Sequence, residues 1–205
     1  MIAVIDYGVG NLFSLCSSLD AIGVKSVVTS SPDEIKAADK IILPGVGAFA
    51  DAAEKLRSSG LDRVIKEEAA AGKPIFGICL GMQLLFEKSY EYGEHEGLGL
   101  IPGAVVAMDG RIDKGLKIPH IGWNALKKDR EHPLLKNTAE DDCVYFVHSF
   151  YAVDCDESII ASAEYGAKIT AAVALGNVAG TQFHPEKSGN VGLGILRAFA
   201  EWEGR

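Results

Sequence analysis

Cys79 lies in the run Pro74-Ile75-Phe76-Gly77-Ile78-Cys79-Leu80-Gly81-Met82-Gln83, an apolar strand followed at once by a glycine-flanked cysteine and the opening of a helix. A side chain on such a strand-to-helix turn takes a sparsely allowed backbone conformation, and small neighbours two places before and after relieve the crowding. Gly77 and Gly81 hold those places. The sulfur would then face the unsatisfied N–H groups of a helix start, which favour a thiolate, the nucleophilic form of cysteine. The alternative reading is a buried inert cysteine. That alternative loses ground at the far end of the chain, where Thr181-Gln182-Phe183-His184-Pro185-Glu186 runs from a strand into a histidine and a carboxylate. His184 can carry the thiol proton to a leaving amine, and Glu186 can fix the imidazole tautomer and stabilise its charged form. Alone, His184-Pro185-Glu186 reads as a turn opening a loop. Paired with Cys79 it reads as the base and acid of a nucleophilic site.

The elements that must position these groups alternate in the first half of the chain. Ile2–Ile5 reads as a strand, 6–11 as a glycine-rich turn, and Leu12–Ile22 as an amphipathic helix with Leu12, Leu15, Leu19 and Ile22 at helical spacing. Strands over 27–29 and 40–43 follow, with helices over 31–38, 48–57 and 61–71, before the elbow strand. This is β/α alternation around a parallel sheet. After the elbow the texture changes to strand-like runs over 104–108, 117–126, 142–153, 158–165, 169–175 and 178–182, with Gly176-Asn177 as a two-residue hairpin signal. A helix over 190–203, with Ile195, Leu196, Phe199 and Trp202 at core spacing, ends the pattern. The expected fold is α/β: a mostly parallel central sheet flanked by helices, with a mixed or antiparallel C-terminal portion, in one domain over 1–205.

Composition narrows the class. A formal charge of −8 argues against nonspecific polyanion binding, so no nucleic acid is expected. The apolar runs are strand-length and the N-terminus lacks a basic leader, so no membrane span or export is expected. Cys16, Cys79, Cys143 and Cys155 have no metal-type spacing and form no disulfide framework, which suits a reducing cytoplasm. His95, His120 and His132 lack the close spacing of a metal cluster. Asp6-Tyr7-Gly8-Val9-Gly10-Asn11-Leu12-Phe13 is a poor dinucleotide fingerprint, since Phe13 stands where the third glycine belongs. No metal and no cofactor are expected.

Gly77-Ile78-Cys79-Leu80-Gly81-Met82-Gln83, joined to Gln182-Phe183-His184-Pro185-Glu186-Lys187-Ser188 at this distance, resembles the class I, or triad-type, glutamine amidotransferases over essentially the whole chain. Three further segments, over 6–11, Leu43-Pro44-Gly45-Val46-Gly47-Ala48-Phe49, and Pro119-His120-Ile121-Gly122-Trp123-Asn124, are similar to the family of glutaminase subunits of imidazole glycerol phosphate synthase. The resemblance implies that Cys79 attacks the glutamine carboxamide, that His184 protonates departing ammonia, and that water then releases glutamate from the thioester. It implies oxyanion donors from Leu80 and the Gly45-Val46 peptide, glutamine contacts from Gly47, Gln83 and Glu91, and carboxylate contacts from the backbone of Ser149 and Phe150. It also implies a partner, a cyclase subunit with a (β/α)8 barrel that takes the ammonia in histidine biosynthesis, with Trp123, Tyr145 and Lys187 near the interface.

Several residues have plainer readings. Glu91 lies in a charged stretch over 87–96 and reads equally as a surface acid. Pro44–Gly47 reads as a tight turn, and Trp123 and Tyr145 as core aromatics. Rival readings of the whole are another class I glutaminase, a cysteine-type α/β-hydrolase, and a regulatory subunit on the same scaffold. The hydrolase normally places its acid well before the histidine, whereas Glu186 follows His184 directly. A regulatory subunit would be expected to lose a member of the triad.

Overall fold

The computed structural model describes residues 1–204. The chain opens with strand β1 (Ile2–Ile5) and helix α1 (Leu12–Ala21), whose N-cap Asn11 accepts a hydrogen bond from the Ser14 amide at 3.4 Å. Then come β2 (Ser26–Thr29), α2 (Pro32–Ala37), β3 (Lys40–Leu43), α3 (Phe49–Ser58), α4 (Leu61–Ala70), β4 (Ile75–Ile78) and the short α5 (Leu80–Leu84). The second half is strand-rich: β5 (Phe86–Ser89), β6 (His95–Glu96), β7 (Ile101–Ala107), β8 (His120–Ala125), β9 (Lys127–Lys128), β10 (Cys143–His148), β11 (Phe150–Val153), β12 (Ile159–Glu164), β13 (Lys168–Leu175) and β14 (Val178–Thr181). Helix α6 (Gly189–Glu201) follows.

The main sheet has the order β2-β1-β3-β4-β14-β13-β12-β9. From β2 to β14 the neighbours are parallel, and from β14 to β9 they are antiparallel. Its central strands read as continuous apolar runs because both faces are covered. Period-two alternation sends Ala3, Ile5, Ile41 and Ile75 to the face under α2, α3 and α4, where Ile35, Phe49, Leu56 and Ile65 pack on them. Val4, Ile42 and Phe76 face the other way, against Leu15 and Leu19 of α1 and Leu196 and Phe199 of α6. Phe76 and Phe199 stack at 5.0 Å. The hairpin signal at Gly176-Asn177 closes β13 onto β14 with Leu175 opposite Val178.

Two expectations about strands need correction. The apolar run over 142–153 is not one strand: β10 pairs with β8 in a two-stranded sheet, whereas β11 pairs with β7 in a four-stranded one. The chain changes sheet at Ser149, whose carbonyl accepts from the Met108 amide at 2.9 Å. Continuous hydrophobicity conceals such a switch because both pieces are apolar in sequence. The second correction is that β5, β6 and β9 were not expected. Two of them are two-residue polar strands without alternation to mark them. Among the described residues no helix is long and apolar enough to cross a membrane.

Candidate active site

Three neighbouring strands, β3, β4 and β14, end on the same side of the sheet and deliver the groups singled out from the sequence. That is where open α/β sheets hold their ligands, at the carboxyl ends of parallel strands. Cys79 follows β4 with φ 55° and ψ −111°, a conformation rare for a residue with a Cβ. Its amide donates to Thr181 O of β14 at 2.7 Å, and its carbonyl accepts from the Gln83 amide at 3.1 Å, which ties the turn to the sheet and the helix together. The elbow needs its glycines for close approach. A Cβ on Gly81 would lie 1.8 Å from Leu43 O, and one on Gly77 would lie 2.7 Å from the Gly81 backbone.

His184 follows β14 and is buried. Its Nδ1 meets Glu186 Oε1 at 2.8 Å, with both side chains 3% exposed. Its amide donates to Tyr145 O at 3.0 Å and its carbonyl accepts from Ser188 Oγ at 2.6 Å, so β10 and the turn Pro185–Lys187 fix the backbone around it. Among the described residues His184 Nε2 has no hydrogen-bond partner, which leaves it open for a proton to be carried. Burial pulls the imidazole pKa down, but the neighbouring Cys79 sulfur and the Glu186 carboxylate outweigh it and push it up to about 9. The upward shift favours the imidazolium, an acid beside the sulfur.

The loop after β3 lies over the elbow. The Tyr7 hydroxyl donates to Pro44 O at 2.8 Å. Gly45 sits in a tight place: a Cβ there would lie 2.8 Å from the Gly81 amide nitrogen, 2.9 Å from Tyr7 Oη and 3.0 Å from Leu80 Cβ. The positive φ in this loop belongs to Gly47, at 98°, with nothing within 4 Å of its added Cβ. Glycine is required at 45 for space and at 47 for conformation.

A pocket of about 470 Å³ opens over Cys79, a size suited to one small molecule. Val46, Gly47, Leu80, Gln83, Glu91, Ser149, Phe150, His184 and Lys187 line it, so the glutamine contacts expected from the sequence converge there. Glu91 is no free surface acid, since its Oε2 accepts from the Phe49 amide at 2.6 Å. Gln83 Nε2 donates to Phe150 O at 3.1 Å. Gly45 and Glu186 stand behind the pocket wall, where both border a smaller cavity with His184. Trp123, Tyr145 and Lys187 form a cluster beside His184: Trp123 meets Tyr145 edge-on at 6.2 Å, and Lys187 Nζ lies 5.8 Å from the Tyr145 ring. Trp123 is 57% exposed and Ile121 58%, so Trp123 is not a core aromatic.

Sequence reasoning passed over four groups at this site. Tyr92 and Pro119 line the pocket, as does His148, whose Nδ1 meets Phe150 O at 2.8 Å. Gln182 Nε2 donates to Cys79 Sγ at 3.8 Å. Pro119 and Gln182 stand inside the quoted motifs and His148 in the strand-like run over 142–153, where such residues read as core until their partners are known. Tyr92 carries no sequence signal.

Comparison with known proteins agrees with this geometry. The family model described as "Glutamine amidotransferase class-I" matches residues 3–201. The "Imidazole glycerol phosphate synthase subunit HisH" of Bacillus licheniformis is 53% identical over 205 residues, covering 98% of this chain and 96% of that protein. The protein of the same name from Oceanobacillus iheyensis is 50% identical, covering 98% of each. A solved structure titled "Crystal structure of glutamine amidotransferase" has the same fold, with a TM-score of 0.78 at 18% identity over the full length of both chains. The chain therefore belongs to the class I glutamine amidotransferases and, among them, to the family of imidazole glycerol phosphate synthase subunit HisH.

Proposed function

We propose that residues 1–205 form one glutaminase domain, a cytoplasmic subunit that supplies ammonia to the cyclase subunit of imidazole glycerol phosphate synthase. The observation that carries this reading is the convergence of Cys79 and the His184–Glu186 pair, from adjacent strand ends, on one amino-acid-sized pocket. The Cys79 thiolate attacks the glutamine carboxamide carbon. The carbonyl oxygen takes the negative charge and is held by the free Leu80 amide at the start of α5 and by a peptide N–H of the Gly45–Val46 segment. As the C–N bond breaks, the His184 imidazolium gives its proton to the leaving nitrogen and ammonia departs. Water then loses a proton to His184 and attacks the thioester, glutamate leaves, and the thiolate returns. Glu91 faces the substrate ammonium, and the backbone of Ser149 and Phe150 receives its carboxylate.

Free ammonia would be protonated and lost in bulk water, so a partner must cover the site. The exposed apolar side chains Ile121 and Trp123, beside Lys187 and Tyr145, suit that contact. Glutamine hydrolysis by the chain alone is expected to be slow and to rise at least about tenfold when a cyclase subunit with bound ligand is added, since a ligand shifts an equilibrium only by its differential affinity. Glutamate release measured with and without the partner tests this. Full turnover alone, unchanged on adding the liganded partner, would sink the subunit reading.

The tight seat of Gly45 carries a second expectation. Gly45→Ala must push the loop away from the Gly81 amide, and loss of one oxyanion donor slows turnover by about 10²–10³-fold. Steady-state kinetics in the complex should show this fall in kcat with KM for glutamine nearly unchanged. Parental kcat would mean that the segment gives no donor.

A further inference from the structure

We propose that Gln182 is a further catalytic residue, holding the Cys79 sulfur through its side-chain amide, and that Gln83, anchored on the Phe150 carbonyl, sets its orientation. Gln182 is fully buried, and its Nε2 donates to Cys79 Sγ at 3.8 Å. An amide could be turned either way, but the neighbours leave one choice. Phe150 O is a backbone carbonyl and only accepts, so the Gln83 group 3.1 Å from it is the NH₂. The same NH₂ lies 3.0 Å from the Gln182 side chain, which must present its oxygen there and therefore its nitrogen to the sulfur.

The Phe150 carbonyl is held in turn. His148 Nδ1 lies 2.8 Å from it and must carry the hydrogen, which leaves Nε2 of the neutral ring as an acceptor. His120 Nδ1, 3.0 Å away, donates to that nitrogen, and His120 Nε2 accepts from Asn124 Nδ2 at 3.4 Å. Burial holds both imidazoles neutral, down to about 4, so the direction of the chain survives across the working pH range. The rings are packed by Phe146 and Tyr165, stacked on His120 at 4.8 and 4.0 Å. Donors from His148 and from Gln83 thus converge on the Phe150 carbonyl and fix it in place, and the same Gln83 amide group donates on to Gln182 beside the nucleophile.

The titratable groups facing the sulfur are His184, with Glu186 behind it, and Tyr7, whose hydroxyl is pushed up by burial and by the sulfur's charge. Glu91 and Lys187 stand farther out on the pocket wall. Gln182 adds an uncharged side-chain donor to these groups. Its N–H is a fixed, non-titrating donor aimed at the sulfur, and a hydrogen bond to a charged acceptor is stronger than one to a neutral acceptor.

The inference deepens the chemistry proposed for Cys79, and its test needs neither partner nor glutamine. The full chain is treated with iodoacetamide at about pH 7 and about pH 9.5, and alkylation of Cys79 is followed by peptide mass spectrometry, with the exposed Cys143 as internal reference. Gln182→Met keeps the bulk and removes the amide. It should slow Cys79 alkylation by about five- to tenfold at the lower pH and leave it within about twofold of the parent at the higher one, because only the thiolate fraction has changed. Gln83→Met, which leaves Gln182 unoriented, should fall between the two. A parental rate for Gln182→Met at the lower pH would overturn the proposal, and so would an equal loss at both pH values, which is the mark of a packing defect. A parent whose Cys79 reacts no faster than Cys143 would overturn the nucleophile reading as well.

Discussion

Cys79→Ala should lower glutamine hydrolysis by about 10⁴-fold or more, since no other group in the pocket can form the thioester. Cys79→Ser should fare little better, because a hydroxyl ionises far less readily than a thiol at the same place. The other cysteines are poor substitutes. Cys155 is buried and its thiol is pushed up by burial, Cys16 is pushed up for the same reason, and Cys143 is exposed on β10; none of them lines the pocket over Cys79. Synthesis driven by added ammonia should continue in a complex carrying either variant, since the cyclase reaction needs only the product of this site. Glutamate release and ammonia-dependent product formation, measured on the same complex, separate the two. Substantial glutamine hydrolysis by Cys79→Ala, together with its loss in a Cys16, Cys143 or Cys155 variant, would remove the elbow from the mechanism.

The elbow was legible because its constraints are local. Gly77 and Gly81 are demanded by contacts inside one strand-turn-helix unit and with the adjoining β3, so the reason for each lies within a few residues of Cys79 or in the next strand. The β/α alternation was legible for a similar reason: a strand covered on both faces is a short apolar run, and a helix beside it shows one apolar stripe. What escaped is the set of contacts between distant residues of ordinary type. Gln182 reaches Cys79 across 103 positions and Gln83 across 99, yet a glutamine at the end of a strand has no pattern that distinguishes a donor from a packed side chain. The sheet switch at Ser149 is hidden because both flanking strands are apolar. Glu91 sits in a charged run, and only the chain crossing that brings the Phe49 amide to its carboxylate separates it from its solvated neighbours. Pro44–Gly47 reads in sequence as a tight turn, and only the packing of Tyr7 and the elbow assigns space to Gly45 and positive φ to Gly47.

His184→Ala should come within about an order of magnitude of Cys79→Ala, because the same group protonates the leaving ammonia and deprotonates the attacking water. Glu186→Gln should cost roughly ten- to a hundredfold less, since it keeps the shape and an acceptor for Nδ1 but gives up the negative charge. The pH dependence separates these roles. His184 is pushed up to about 9 because Cys79 and Glu186 favour its charged form more than burial disfavours it. The imidazolium needed to release ammonia therefore persists through neutral pH, and activity should fall on the alkaline side as that proton leaves. A raised pKa also means that the folded state holds this proton more tightly than the unfolded chain. The stabilisation is fully present below the ordinary histidine value of about 6.5 and is lost as pH rises through about 9. Glu186→Gln removes one of the contributions that raise it, so both the alkaline limb of kcat/KM and the alkaline fall in melting temperature should move to lower pH. Rate profiles and thermal melts over the same pH range test the assignment on two independent readouts. A Glu186→Gln protein more impaired than His184→Ala, or one whose alkaline limb stays in place, would mean that the carboxylate and the imidazole do not share the work in this way.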